Sequence, residues 1–105
     1  MKATELKLDA TSMKRNARQA VDLIKVLANE NRLMIMCALC SGELAVNELN
    51  ERIQLSQSAL SQHLAILRHQ GLVRTRRDGQ TIYYSLNDTA ALPVIQTLHD
   101  EYCKR

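Results

Sequence analysis

The chain has 105 residues, of which 46% are hydrophobic and 24% charged, and its formal net charge is +3. This length suits one compact domain with a small core, and so weak a net charge says little about a nucleic-acid partner. Aromatic residues make up 3% of the chain and all are tyrosine, which argues against a single-strand binder built on stacking platforms. Because no apolar run reaches membrane-spanning length and the start lacks a signal-peptide hydrophobic region, we expect a cytoplasmic protein without a membrane partner.

The first half of the chain predicts a tail followed by three helices. Residues 1–11 carry mixed charges and predict a mobile N-terminal tail, whereas residues 12–105 predict a single domain. A first helix is predicted over residues 12–28, where apolar residues recur every three or four positions. The second helix follows Asn29, a suitable N-cap, and is apolar all round, which indicates burial on most sides. A short third helix is predicted over residues 46–52.

The stretch LSQSALSQHLAILRHQGLV, residues 55–73, predicts an amphipathic helix with Ser56 as its N-cap. At about 100° per residue, Leu60, Leu64 and Leu67 fall on one face. The opposite face and its flank carry hydroxyl, amide and basic side chains, namely Ser58, Ser61, Gln62, Arg68 and His69. Such side chains reach phosphates and base edges in a DNA major groove. Because the preceding short helix leads into this one through a tight turn, the order is that of a helix-turn-helix.

Two strands are predicted after this helix, around Asp78-Gly79, a dipeptide preferred in two-residue type I′ hairpin turns. Pairing Arg77 with Gln80 places alternate side chains on opposite faces of the ribbon. The inward set is Val73, Thr75, Ile82, Tyr84 and Leu86, and the outward set is Arg74, Arg76, Thr81, Tyr83 and Ser85. A helix followed by a basic hairpin predicts a winged helix-turn-helix, with the helix in the major groove and the wing against phosphates or the minor groove.

A last helix is predicted near the C-terminus, where apolar residues recur at helical spacing: Leu92, Ile95, Leu98 and Tyr102. Its regular part should begin near Ala91, because Pro93 is tolerated only in a first turn. The first and last helices each present an apolar stripe that a domain of this size cannot cover, so they are the predicted homodimer interface. The predicted fold is mainly α, with five helices and a β-hairpin wing.

The residues predicted to contact double-stranded DNA lie on the second helix of the helix-turn-helix and on the wing. They are Ser56, Gln57, Ser58, Ser61, Gln62, His63, Arg68, Arg74, Arg76, Arg77 and Gln80. One alternative is an ordinary amphipathic surface helix, and another is a module that binds a protein through the same helix and wing. An enzyme is a remote alternative, because His63 points roughly 140° away from Ser58 on the same helix and cannot act as its base.

Three segments, ANENRLMIMCAL, ELAVNEL and LSQSALSQHLAILRHQGLVRTRRDGQTIYYSL, resemble the ArsR/SmtB family of dimeric winged-helix repressors. The resemblance extends over residues 21–103 in the family's order of helices and wing. It implies a homodimer that binds pseudo-palindromic operator DNA and releases it when an effector occupies a sensor site. The identity of that effector is then the main question.

The resemblance also implies where metal ligands would lie, and this chain departs from both patterns. The family's thiolate site reads ELCVCDL, whereas Ala45 and Asn47 stand at the two cysteine positions here. Neither side chain replaces a thiolate for a soft metal. For the second site, aligned on His99, the chain offers Asp88 and His99 but not the other two ligands, which is too few for tetrahedral zinc. We therefore expect no metal and no other cofactor, and we interpret His99 as an interface residue.

The cysteines Cys37, in RLMIMCAL, and Cys103, in LHDEYCKR, match two positions of the BigR/HlyU-like subgroup of reactive-sulfur and redox sensors. In that subgroup the two sulfurs form a disulfide or a polysulfide bridge. Cys40 is interpreted as a small hydrophobic residue, and inert packing of all three cysteines is the alternative.

The resemblance therefore implies a homodimeric repressor whose operator binding is switched off when Cys37 and Cys103 become linked by reactive sulfur species or an oxidant. Two alternatives stay open. One is an ArsR-type repressor that responds to another effector, such as a metal ion, and the other is an interaction module that does not switch.

Overall fold

The structure, a computed structural model, describes residues 9–103. Within this range five helices and three strands follow one another: α1 (Ala10–Leu27), α2 (Glu30–Leu39), β1 (Leu44–Ala45), α3 (Val46–Ile53), α4 (Gln57–His69), β2 (Val73–Asp78), β3 (Thr81–Leu86) and α5 (Ala91–Tyr102). The predicted class, mainly α with a β-hairpin wing, is confirmed. Residues 1–8 of the predicted N-terminal tail lie outside the described range.

Helix α1 begins at Ala10, two residues earlier than predicted. The cause is Asp9, whose Oδ1 accepts the backbone N–H groups of Thr11 at 3.1 Å and of Ser12 at 3.3 Å. An acidic N-cap satisfies donors that the first turn leaves open and also complements the positive end of the helix dipole. Ala10 and Thr11 are therefore helical and do not belong to a tail.

Helix α2 lies at the centre of the domain and contacts α1, α3, α4 and α5. Its predicted cap is confirmed, because Asn29 Oδ1 accepts the backbone N–H of Arg32 at 3.0 Å. Ile35 and Met36 are fully buried, but Met34 is 53% exposed. The prediction that α2 is buried on most sides is therefore confirmed except at Met34, where the helix faces solvent.

The wing is a hairpin whose loop differs by one residue from the prediction. Asp78 pairs with Thr81, so the loop is Gly79-Gln80 and not Asp78-Gly79. Gly79 has a φ of 65°, and a loop with glycine first has the residue order of a type II′ turn. A type I′ turn at Asp78-Gly79 would require a left-handed Asp78, which its Cβ disfavours. Because the strand register shifts by two residues, every side chain keeps its predicted face.

A third strand, β1, was not predicted from the sequence. It pairs antiparallel with β3, through Leu44 with Tyr84 and Ala45 with Tyr83, and gives the sheet order β1-β3-β2. Two residues are too few to show an alternation of apolar and polar positions. This short strand connects the middle of β3 in the wing with the loop that follows α2.

Helix α5 starts at Ala91 as predicted, with Pro93 in its first turn. Ala91 and Ile95 are fully buried and pack in the same core as the leucines of α4. Asn87 lies outside the helix, where its Nδ2 donates to the Gly71 carbonyl at 2.9 Å. This bond connects the entry to α5 with the turn between α4 and β2, at which Gly71 has a left-handed φ of 75°.

Candidate nucleic-acid interface and cysteine cluster

The turn between α3 and α4 fixes where the second helix of the helix-turn-helix begins. Gln54 has a left-handed φ of 62°, and the side chain of Asn50 supports this turn by accepting the Leu55 N–H at 2.9 Å. Ser56 is the predicted N-cap, and its Oγ accepts the Ala59 N–H at 3.2 Å. The Ser56 Oγ also lies 3.4 Å from the Ser58 Oγ, so the two hydroxyls stand side by side at the start of α4.

Helix α4 has the two faces that the sequence predicts. Leu60, Leu64 and Leu67 are buried in the core. The predicted DNA-contacting residues of this helix and its cap are exposed together, namely Ser56, Gln57, Ser58, Ser61, Gln62 and Arg68. His69 is exposed beside them. A continuous surface of hydroxyl, amide and basic groups therefore lies outside α4, and its groups can donate and accept hydrogen bonds with phosphates and base edges.

His63 is the predicted site residue on α4 that does not join this surface. It is half-buried, and its Nδ1 lies 3.4 Å from Nη1 of Arg32 on α2. Arg32 in turn donates from Nε to the Val26 carbonyl at 2.7 Å. His63 therefore sits on the side of α4 that packs toward α2, and it contributes to the placement of the helix.

The wing carries the remaining predicted DNA contacts, and Arg74, Arg76, Arg77 and Gln80 are all exposed. Arg76 differs from the others because Glu43 binds it with both oxygens, at 2.8 Å from Nη2 and 3.0 Å from Nε. The guanidinium also lies over the Tyr83 ring, 4.6 Å from its centroid. These hydrogen bonds lower the pKa of the Glu43 carboxyl and raise the pKa of Arg76.

A groove of about 670 Å³ separates α4 from the wing. Ser61, Arg68 and His69 line its α4 side, and Ile82 and Tyr84 line its wing side. The polar wall belongs to the exposed face of α4 and the apolar wall to the inward face of the hairpin. The groove therefore lies between the two elements that the sequence assigns to DNA.

The three cysteines lie near the ends of α2 and α5: Cys37 is in α2, Cys40 follows its last residue, and Cys103 follows the last residue of α5. Cys37 is half-buried, Cys40 and Cys103 are exposed, and all three are free thiols. Partial burial raises the pKa of Cys37, and repulsion from Cys40 and Cys103 raises that pKa further. Burial and then repulsion from Cys103 likewise raise the pKa of Cys40. Cys103 is therefore within electrostatic reach of both cysteines of α2.

Apolar side chains that remain exposed lie mainly on α1 and α5. They include Met13, Val21 and Ile24 on α1, and Val94 and Tyr102 on α5. Ile24 is 63% exposed and Tyr102 is 77% exposed. Ile95, which the sequence assigns to the interface stripe, is 0% exposed and belongs to the core. That assignment is wrong, because Ile95 lies on the side of α5 that packs against the core. The neighbouring residue Val94 lies on the exposed side.

Residues 9–103 contain no cluster of three or more His, Cys, Asp or Glu side chains that could hold a metal ion. His99 is half-buried, with its Nδ1 3.9 Å from the Asp100 Oδ1. No helix in the part of the chain that the structure describes has the length and apolar content to cross a bilayer.

Sequence reasoning missed two residues that shape the surface. Glu43 binds Arg76 although 33 residues separate them in the chain. This contact follows from the pairing of β1 with β3, and β1 is too short to be predicted from the sequence. Arg32 reaches His63 across 31 residues, and no spacing rule within one helix predicts such a contact.

Known proteins resemble this chain over most of its length. The family description "Bacterial regulatory protein, arsR family" matches residues 29–75, which span α2, α3, α4 and the start of the wing. The transcriptional activator HlyU of Vibrio cholerae is 50% identical over 97 residues, covering 92% of this chain and 90% of that protein. The biofilm growth-associated repressor of Xylella fastidiosa is 37% identical over 91 residues, covering 87% of this chain and 80% of that protein.

Solved structures agree with these matches. The structure of reduced HlyU from Vibrio cholerae superposes with a TM-score of 0.84 at 52% identity, covering 89% of this chain and 98% of that one. The repressor BigR from Xylella fastidiosa gives a TM-score of 0.83 at 35% identity, covering 93% of this chain and 100% of that one. The fold is therefore the winged helix-turn-helix, and the relatives are regulators of transcription rather than enzymes. This chain belongs to the ArsR family of bacterial DNA-binding transcriptional regulators.

Proposed function

We propose that the protein is a homodimeric repressor that binds operator DNA while its thiols are reduced and releases it when Cys37 and Cys103 become linked. The observation that carries this proposal is the position of Cys103, at the end of α5 and within electrostatic reach of Cys37 on α2. Cys103 is exposed, so packing in the core gives no reason for its placement. Because the cytoplasm keeps thiols reduced, the DNA-bound form would be the resting state there.

DNA recognition is assigned to α4 and the wing. Ser58 and Gln62 lie on the exposed face of α4, so we assign base readout in the major groove to them. Phosphate contacts are assigned to the hydroxyls and arginines that flank this face, namely Ser56, Ser61, Arg76 and Arg77. Gln57, Arg68, Arg74 and Gln80 extend the same exposed surface, and half-buried His63 supports the placement of α4.

The dimer is assigned to α1 and α5, because their exposed apolar side chains form the surface that most needs cover. A two-fold axis through these helices would place two α4 helices on one side of the dimer. Two such helices fit half-sites one turn of DNA apart, which explains why family members read pseudo-palindromic operators.

The switch chemistry starts at the exposed thiol. Cys103 attacks the outer sulfur of a small persulfide RSSH, which gives a Cys103 persulfide and the thiol RSH. The Cys37 thiol then attacks the inner sulfur, which forms the Cys37–Cys103 disulfide and releases hydrogen sulfide. With a peroxide, Cys103 is oxidised to a sulfenic acid with loss of one water, and condensation with Cys37 releases a second. The raised pKa of Cys37 suits a resolving role, because a partly buried thiol that is mostly protonated is a slow first nucleophile.

The bridge would change DNA binding through the dimer. A covalent link between α2 and the end of α5 fixes how α5 packs on the protomer, and α5 also belongs to the proposed interface. A change there alters the distance and angle between the two α4 helices. This geometry decides whether both reach successive major grooves.

The test uses a DNA duplex that the reduced protein selects from a random library. Persulfide treatment should lower the affinity of the wild type roughly 5–150-fold, the range typical of allosteric coupling. Cys37→Ser and Cys103→Ser should each stay bound under the same treatment, and peptide mass spectrometry should find the linked pair only in the wild type.

Cys40→Ser is the matched control and should still respond, because the proposed bridge does not use Cys40. Zinc and a chelator should each leave wild-type binding unchanged. Release of DNA from treated Cys103→Ser, or from the wild type by zinc alone, would show that the two-cysteine switch is wrong.

A further inference from the structure

We infer that Glu43 lowers the affinity of the wing for any DNA duplex, because its carboxylate competes with DNA phosphate for Arg76. This inference deepens the proposed function and rests on the proposed contact between Arg76 and DNA. It concerns a residue outside α4 and the wing, in the loop between α2 and β1.

The sheet explains why these two residues meet. Tyr83 on the central strand pairs with Ala45 of β1 on one side and with Arg76 of β2 on the other. Glu43 immediately precedes β1, so its side chain starts beside the same row of residues. Arg76 extends across the Tyr83 ring, 4.6 Å from its centroid, and meets Glu43 beyond it at 2.8 and 3.0 Å.

The geometry uses the part of Arg76 that a phosphate would need. Glu43 occupies Nε and Nη2 with its two oxygens, and this planar fork is the arrangement by which a guanidinium recognises a phosphate with two parallel bonds. One edge of the guanidinium cannot make both sets of bonds at once. A phosphate that binds there must therefore displace the carboxylate or accept a poorer single contact.

The pair is accessible enough for this exchange. The Arg76 side chain is 54% exposed and that of Glu43 is 35% exposed. Exposed ion pairs are weak, because water screens them, so phosphate can displace the carboxylate. Arg74 and Asp78 are the other charged groups that act on this pair. Within residues 9–103, neither Arg74 nor Arg77 forms an ion pair, so Arg76 is the wing arginine whose hydrogen-bond donors Glu43 occupies.

The test measures DNA affinity for Glu43→Gln, which removes the charge and keeps the size of the side chain. The variant should bind operator and random duplexes about two- to fivefold more tightly near 0.1 M salt, because Arg76 no longer gives up an ion pair. The slope of log affinity against log salt should steepen by up to ~0.9, the value for one more neutralised phosphate.

A double-mutant cycle with Arg76→Gln provides the decisive comparison. In the Arg76→Gln background, Glu43→Gln should change neither the affinity nor the salt slope. Glu30→Gln is the matched control, because it removes an exposed carboxylate at the opposite end of α2 from Glu43. It should leave both quantities within error of the wild type.

Three outcomes would overturn the inference. If Glu43→Gln leaves affinity unchanged or weakens it, the pair only stabilises the structure. If the gain persists without Arg76, Glu43 repels DNA directly. If Arg76→Gln has no effect of its own while Arg74→Gln and Arg77→Gln weaken binding, Arg76 alone is removed from the interface. If none of the three arginine variants weakens binding, the proposed wing contact itself fails.

Discussion

Gln62 and Arg77 are both exposed polar residues of the proposed DNA surface, but they differ in what they can distinguish. A glutamine amide both donates and accepts, so it can match the edge of one base pair and not another. In the proposed complex, an arginine near the tip of the wing would contact phosphates, which are the same at every position of the duplex. The two residues should therefore affect specificity and affinity separately.

We predict that Gln62→Ala lowers the discrimination between operator and random DNA by about 1–3 kcal/mol, because one base contact is lost. Arg77→Ala should instead weaken binding to both DNAs alike and reduce the salt slope by roughly one. Competition binding with the two duplexes measures both quantities. An equal loss on both DNAs for Gln62→Ala would remove it from base readout.

The helix-turn-helix depends on one turn, and a single side chain supports it. Gln54 adopts a left-handed conformation that is unfavourable for a residue with a Cβ. Asn50 offsets this by accepting the Leu55 N–H, which is partly buried and would otherwise lose its partner. The orientation of α4 relative to α3 therefore depends on an interaction outside both apolar faces.

We predict that Asn50→Ala lowers the free energy of unfolding by about 1 kcal/mol, because a partly buried N–H loses its acceptor. Urea denaturation at fixed protein concentration measures this difference. Asn16→Ala, at an exposed position in α1, is the matched control and should change stability little. If both variants unfold at the wild-type midpoint, the side chain of Asn50 does not support the turn.

The helices and their caps can be predicted from the sequence because their contacts are local. The caps at Asn29 and Ser56 each join a side chain to a backbone N–H three residues away. The register of the wing depends on which residue takes the left-handed φ at the first loop position. Gly79 takes it, so the loop is Gly79-Gln80 and not the predicted Asp78-Gly79. Long-range contacts, such as that between Glu43 and Arg76, follow from strand pairing, which one sequence does not reveal.

The side of α5 that faces the core also could not be predicted from the sequence. Helical spacing identifies an apolar stripe but does not tell which of two adjacent stripes meets the core. Ile95 is buried and Val94 is exposed, although both are aliphatic. The exposed polar face of α4 was predicted more reliably, because its opposite face consists of leucines.

For the whole molecule, the exposed apolar side chains of α1 and α5 indicate a surface that association would bury. Exposed apolar surface that is concentrated on a few elements commonly marks a protein interface. The test residue should be exposed in the protomer, which excludes Ile95, because a charge in the core would unfold the domain.

We predict that Ile24→Glu produces monomers at micromolar concentration, because two like charges would then meet at the proposed two-fold interface. Analytical ultracentrifugation measures the change. Ile66→Glu is the matched control, since Ile66 is an exposed isoleucine on α4, outside that interface, and this variant should remain dimeric. A monomeric wild type, or a dimeric Ile24→Glu variant, would contradict the assignment of the interface.

The short strand β1 has a mechanical consequence for the wing. It pairs with β3 at Tyr83 and Tyr84, so the middle of the hairpin is a three-stranded sheet, whereas the tip beyond it has only β2 and β3. Two-stranded ribbons take a larger twist than wider sheets. In the proposed DNA complex, the tip of the wing would therefore change its twist to fit minor grooves of different width, while β1 holds the middle of the hairpin against the rest of the domain.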